Sequence, residues 1–183
     1  MEINKKGVWL KESPPEEYIG NENLKRKLHE QVEKFEKLTK SSSFREIQSS
    51  HFDWWTFPIN ESSSHGLSYT VSSKVVGELK KDEQFVSELR KAVHFVLFAW
   101  GWDVERADFV DKPHKDQKWS NWPVRLYKAS RSCFLFGQTD LYESLKKFAG
   151  ELNNKGNSLK FSSTSAEAHF NLIERLNQME SLK

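Results

Sequence analysis

Apolar residues recur at three- and four-residue steps along most of this chain, the spacing that lines one face of an α-helix. The clearest stretch carries Leu24, Leu28, Val32, Phe35 and Leu38 between Lys, Glu and Gln; Asn21 is placed to cap it and Ser41-Ser42-Ser43 ends it. A second run begins near Ser72 with Val75, Val76 and Leu79. Asp82 then caps a third, in which Phe85, Val86, Leu89, Val93, Val96, Leu97 and Trp100 widen into a nearly apolar second half. That widening predicts the central buried helix, stopped by Gly101. Asn121-Trp122-Pro123 opens a further helix through Leu126, Tyr127, Phe134 and Leu135 as far as Gly137, and Thr139 caps the next, with Leu141, Leu145, Phe148, Ala149 and Leu152 inward. A turn-rich joint from Asn153 to Ser163 leads to Thr164-Ser165-Ala166-Glu167, a capping box for a last helix striped by Phe170, Ile173, Leu176 and Met179. Two shorter signals, Ser13-Pro14-Pro15-Glu16 closed by Gly20 and Ser43-Phe44-Arg45-Glu46, each predict a turn of helix.

Two stretches break the period. His51 to Val71 mixes aromatic residues with Pro, Gly and a serine run, and reads as a packed irregular loop in which Leu67, Tyr69 and Val71 form at most a short strand. Trp102 to Ser120 scatters Asp103, Glu105, Asp108, Asp111 and Asp116 among Trp, Phe, Pro and His, and connections of that length in a domain are usually functional or mobile. The prediction is an all-α fold: a single irregular domain over residues 1–183, with six to eight helices, two long aromatic-rich loops and at most a minor strand pairing. Residues 1–20 form an N-terminal extension, and 154–183 include a helix able to protrude.

Composition excludes more than it adds. Leu, Ile, Val and Phe make up about a quarter of the chain, above the roughly one-fifth below which disorder is expected. With 28 Lys plus Arg against 26 Asp plus Glu, the net charge of +2 argues against a dedicated polyelectrolyte binder. The lone Cys133 forms no internal bridge, the first residues lack the apolar run of a signal peptide, and the richest apolar stretch, Ala92 to Trp102, is too short to span a bilayer. A cytoplasmic protein without a membrane partner is expected, so Asn60-Glu61-Ser62 reads as a chance glycosylation sequon.

Three constellations carry candidate chemistry. His51 near Asp53, beside Trp54 and Trp55, offers an imidazole oriented by a carboxylate in an aromatic pocket; the blander reading is a structural His with Trp54 and Phe57 plugging the core. Arg125, Lys128 and Arg131 recur every three residues beside Trp119, Trp122 and Tyr127, a stripe able to hold phosphates and stack bases, or else a solvated, salt-bridged face. The six tryptophans in or beside the loops either pack as core or wall a pocket between Trp55 and Trp122 whose polar contacts are His51, Lys128 and Arg131. The acidic loop lacks the pattern of a calcium loop, and no zinc motif, glycine-rich phosphate loop or nucleophile elbow occurs, so neither metal nor cofactor is expected. Cys133, on an apolar helix, reads as buried and inert.

Two local patterns resemble known families. His51, Trp54, Phe57 and Pro58 spell His-x-x-Trp-x-x-Phe-Pro, and Leu126 to Phe136 follows in order; both are similar to segments of a small all-helical bacterial family of unknown biochemical role. This chain departs from it at Asp53 and in the long acidic loop. The resemblance implies a helical fold and directs attention to His51 and Lys128 without supplying a reaction. Arg90 and His94, one turn apart, loosely resemble the Arg/His pairing of helical ribonuclease domains, one residue short of the usual spacing, and a satisfied core His is favoured there.

The functional expectation is a non-enzymatic binding or interaction module, presenting its aromatic loops or its terminal amphipathic helices to a protein partner or a second copy. The alternative is an enzyme or binder acting on a phosphate-bearing or nucleic-acid ligand, with His51 and Asp53 as acid–base pair and Arg125, Lys128 and Arg131 as anion clamps. Nucleic acid is admitted but not favoured.

Overall fold

The strongest periods in the sequence build the two longest helices, α1 (Asn21–Lys40) and α5 (Glu83–Ala99), which pack against each other in a computed structural model that describes residues 2–4, 7–63, 66–162 and 169–181. Between them lie α2 (Phe44–Ile47), α3 (Asp53–Thr56) and α4 (Ser73–Leu79); after them come α6 (Pro123–Leu135), α7 (Thr139–Asn154) and α8 (Leu172–Glu180). The fold is mostly helical, with minor strand pairing. One small ladder, β1 (Trp102–Asp103) with β2 (Asp108–Phe109), sits inside the acidic loop; another joins β3 (Lys160–Ser162) to β4 (His169–Asn171), and both are antiparallel.

Local chemistry sets most helix ends. Ser72 accepts from the Val75 amide and Asp82 from the Phe85 amide, so both caps act where the sequence places them. Pro123 occupies the first turn of α6. Past α5 the chain turns at Gly101, where φ is +80° and an added Cβ would sit 3.0 Å from the Gln117 carbonyl oxygen.

Other ends differ from the expected ones. Gly20, not Asn21, precedes α1, because the Asn21 side chain is engaged sideways, accepting from the Tyr18 hydroxyl and donating to Glu78. Thr139 is the first residue of α7 rather than its cap. Residues 13–20 form turns and no helix: the Ile19 amide donates to the Ser68 carbonyl across the following loop, and the two prolines remove amide donors. Leu67 to Val71 forms no strand, since Val71 makes a single backbone bond to Ile59. The capping box at 164–167 lies outside the described residues. The helix instead starts behind Asn171, which accepts from the Ile173 and Glu174 amides, leaving Phe170 in β4.

Neither end stands apart from the core. The Trp9 amide donates to the Asn60 carbonyl, Val8 bridges Glu61, and the buried Trp9 indole donates to Ser13. The helix α8 does not protrude, because its apolar face, with Leu172, Leu176 and Met179, is buried and it packs on α6 and α7. Trp100, Trp102, Phe109 and Trp119 gather around Phe148 on α7, so the acidic loop is pinned by its aromatic residues. Trp100 and Trp102 satisfy their indole N–H groups on Ser120 and Ser144. Among the described residues no helix is long and apolar enough to cross a membrane.

Candidate functional site

The basic stripe on α6 points inward for two of its three members. Arg125 is only 1% exposed, a position that requires every guanidinium N–H to find an acceptor. Its Nε and one Nη2 N–H reach Asp53 Oδ1 at 3.1 Å, Nη1 reaches the Gln48 carbonyl and Oε1 at 3.2 and 2.9 Å, and Nη2 reaches the Ser50 carbonyl at 2.7 Å. Four hydrogen bonds and one further ion-pair contact thus hold the guanidinium on four oxygens. The guanidinium carbon also lies 4.2 Å from the Phe52 ring centroid and 4.5 Å from that of Trp122, a sandwich of two aromatic faces. Burial pulls the Arg125 pKa below its ordinary value and Asp53 opposes that shift. Lys128 completes the cluster, its Nζ 3.1 Å from Asp53 Oδ2.

This arrangement is a fastener. It ties the turn after α2 and the start of α3 to α6. At 1% exposure Arg125 has no face open to an anion from solvent. Asp53 faces Arg125 and Lys128 rather than His51, so the two do not form a hydrogen-bonded acid–base pair. His51 is exposed and stacks on Trp54, with ring centroids 4.7 Å apart and planes 15° apart. Trp55 lies elsewhere, against Lys27 at 4.5 Å and Tyr69 at 6.0 Å. Trp122 covers Arg125. The space bordered by Trp54, Phe57, Tyr69 and Lys128 amounts to about 20 Å³, room for about one water molecule.

Arg131 belongs to a second buried cluster that sequence reasoning did not assemble. Its Nε donates to Asn60 Oδ1 at 2.9 Å and its Nη1 to the Tyr127 hydroxyl at 3.1 Å. The same hydroxyl accepts from Arg175 Nε at 3.1 Å, and Arg175 Nη2 donates to Glu61, which lies 4.0 Å from Arg131 Nε. Burial pushes the Tyr127 phenol up, so it remains protonated. Burial also disfavours the charged form of Arg175, but Glu61 and Tyr127 outweigh it and raise its pKa. The one available signal was Arg175 itself, a charge inside the apolar spacing of Leu172, Leu176 and Met179; Glu61 stood in the sequence only as part of a sequon.

The remaining candidates are occupied. Arg90 makes a forked pair with Asp140, 2.9 and 2.6 Å, and bonds Gln138, while His94 stacks on Phe98; they do not pair with each other. In the acidic loop Arg106 bonds Asp111 and the Phe109 carbonyl, Asp103 accepts the Glu105 and Arg106 amides, and Arg45 reaches Asp116. No group of three or more His, Cys, Asp or Glu side chains among the described residues has the geometry to hold a metal. Cys133 is fully buried and burial pushes its thiol up to about 12, far from a reactive thiolate.

Among the described residues, concavities stay open beyond a cleft of about 250 Å³ between α1 and α5. One, of about 610 Å³, runs beside α5 and is walled by Val86, Phe95, Val104 and Leu141, with Lys80, Arg90 and Lys91 among its polar groups. Another, of about 400 Å³, lies between the N-terminal segment, α6 and α8. Comparison of the chain with protein-family models, with curated proteins and with solved structures gives no match.

Proposed function

We propose that the protein is a non-enzymatic binding module that recognises its ligand in an open, apolar-walled concavity rather than through the tryptophan-rich loops. The observation that carries this reading is the closure of the Asp53–Arg125–Lys128 cluster. The groups that would supply acid–base chemistry or an anion clamp neutralise one another inside the domain. What remains accessible has the make-up of a binding site: apolar walls, a few convergent polar groups, and volumes of about 610 and 400 Å³. The alternative, chemistry on a phosphate-bearing or nucleic-acid substrate, would need Arg125 turned out of a nest in which four hydrogen bonds and the ion pair with Asp53 hold it.

Native mass spectrometry of freshly purified protein tests this, with the 260/280 nm absorbance ratio read on the same sample. A noncovalent adduct lost on denaturation, or a stoichiometric protein partner, is the expected result. A bare monomer with a clean protein absorbance ratio counts against it, and a nucleotide-like adduct would restore the phosphate reading.

A further inference from the structure

The cleft of about 610 Å³ follows one face of α5. Glu83, Ser87, Arg90, Lys91 and His94 recur there at three- and four-residue steps, so they share the side of the helix opposite its buried stripe of Phe85, Leu89, Val93 and Val96. Val86, Phe95, Val104 and Leu141 supply the apolar wall between them.

Arg90 is the fixed point of this face. Its Nη1 donates to Gln138 and Asp140 and its Nη2 to Asp140, at 2.9, 2.9 and 2.6 Å. A guanidinium carries its five N–H groups in a rigid planar fork, and these bonds leave one edge of the fork unused. That edge, Nε–H together with the second Nη2–H, has no acceptor among the described residues. Arg90 borders the cleft whereas Gln138 and Asp140 do not, so the bonded edge faces the start of α7 and the unused edge faces the opening. Gln138 and Asp140 thereby hold a pair of parallel donors in one orientation before any ligand arrives.

The surrounding polar groups are unused as well. His94, one turn along from Arg90, stacks on Phe98, but among the described residues its ring nitrogens make no hydrogen bond. Lys80 and Lys91 form no ion pair there, and neither do Glu83 and Glu105; Glu105 acts on Arg90 only through its field. These four charges cancel, two against two, and Asp140 cancels Arg90.

Deepening the binding-module reading, on which it rests, we infer that this cleft takes a small molecule with one carboxylate and an apolar body, the carboxylate lying against Nε and Nη2 of Arg90 and the body on Val86, Phe95, Val104 and Leu141. The two parallel N–H groups of the unused edge match the two oxygens of a carboxylate, and such charge-assisted pairs are stronger than bonds between neutral groups. A volume of about 610 Å³ suits a ligand of that kind. A polyanion does not fit, because the charges around the edge are balanced and Glu83 and Glu105 oppose every further negative charge.

The probe is naphthylacetate, titrated by isothermal calorimetry, with naphthylethanol as its neutral counterpart and inorganic phosphate as an anion without an apolar body. The wild-type protein is expected to bind one naphthylacetate saturably, and naphthylethanol and phosphate each about tenfold more weakly or not at all. Arg90→Lys keeps a cation for Asp140 but offers no second edge, and should lower naphthylacetate affinity by about tenfold. Lys91→Glu, at an exposed side chain without an ion pair among the described residues, reverses a charge beside Arg90; it should lower the affinity by about fivefold at low salt and by less at high salt, with naphthylethanol unaffected. That variant keeps the test open should Arg90→Lys disturb the fold. Leu10→Glu, on the cleft between the N-terminal segment, α6 and α8, should change nothing. Absence of saturable binding, equal affinity for naphthylethanol, unchanged affinity in either folded α5 variant, or a loss in Leu10→Glu overturns the assignment. If naphthylacetate fails while native mass spectrometry shows another adduct or a protein partner, the cleft assignment falls and the binding-module reading stands; a bare monomer as well removes both.

Discussion

Replacing Asp53 by Asn should destabilise the protein by about 3 kcal/mol, and the structure sets that size. The substitution keeps the shape and one acceptor oxygen but removes the carboxylate that, among the described residues, pairs with Arg125 and Lys128. Deleting one partner of a buried ion pair typically costs about 3–5 kcal/mol, because the charge left behind is unsolvated. The lower end applies here. Arg125 keeps three acceptors on Gln48 and Ser50 and two aromatic faces, and Lys128, with 13% of its side chain exposed, can turn toward water. For a domain of this size about 3 kcal/mol lowers Tm by about 6–12 °C. Urea unfolding followed by tryptophan fluorescence, paired with thermal circular dichroism, reads both quantities. Arg125→Met and the double variant complete a cycle, whose coupling energy should reach about 1–3 kcal/mol. His51→Ala, at an exposed ring outside the cluster, should change stability by no more than about 0.5 kcal/mol and serves as control. An Asp53→Asn loss under about 1 kcal/mol, or a cycle with no coupling, would refute the fastening role.

Two further predictions probe the helices. Gly101→Ala should cost more than about 1 kcal/mol in urea unfolding, since φ is +80° and the methyl would press on the Gln117 carbonyl, whereas Gly77→Ala, within α4 with nothing within 4 Å of its Cβ, should stabilise by about 0.5–1 kcal/mol; the same sign for both would contradict the geometry. On the α1–α5 contact, His29 Nδ1 lies 2.7 Å from Glu88, and that bond first, then the charges of Glu88, Glu33 and Glu30, raise the His29 pKa above its ordinary 6.5. Protonation is then favoured by folding, so the pair's stabilisation is complete below pH 6.5 and is lost as pH climbs through the raised value. His29→Gln should flatten the fall in Tm across that range, and an unchanged profile would exclude His29 as its source.

What the sequence by itself determined is local. Ser72 and Asp82 cap helices three residues downstream, Pro123 starts α6, Gly101 ends the run of α5, and the apolar steps in α1, α5 and α7 name the buried faces, because each depends on atoms within about one turn of helix. Even there Asn21 and Thr139 gave way, since a side chain with a better partner elsewhere leaves its cap position. The pairing of charges was decided by the tertiary structure alone. The stripe Arg125, Lys128 and Arg131 was visible at three-residue spacing, but not that Asp53, more than 70 positions away, would claim its first two members, nor that Glu61 would meet Arg175 across 114. A guanidinium on a helix reads the same whether it faces water or core, and only the burial created by packing forces it to choose its acceptors. Four of the tryptophans followed the same rule: their apolar rings fit a pocket wall or a core equally well, and the surroundings of Phe148 and Arg125 buried Trp100 and Trp102 and laid Trp119 and Trp122 against the core.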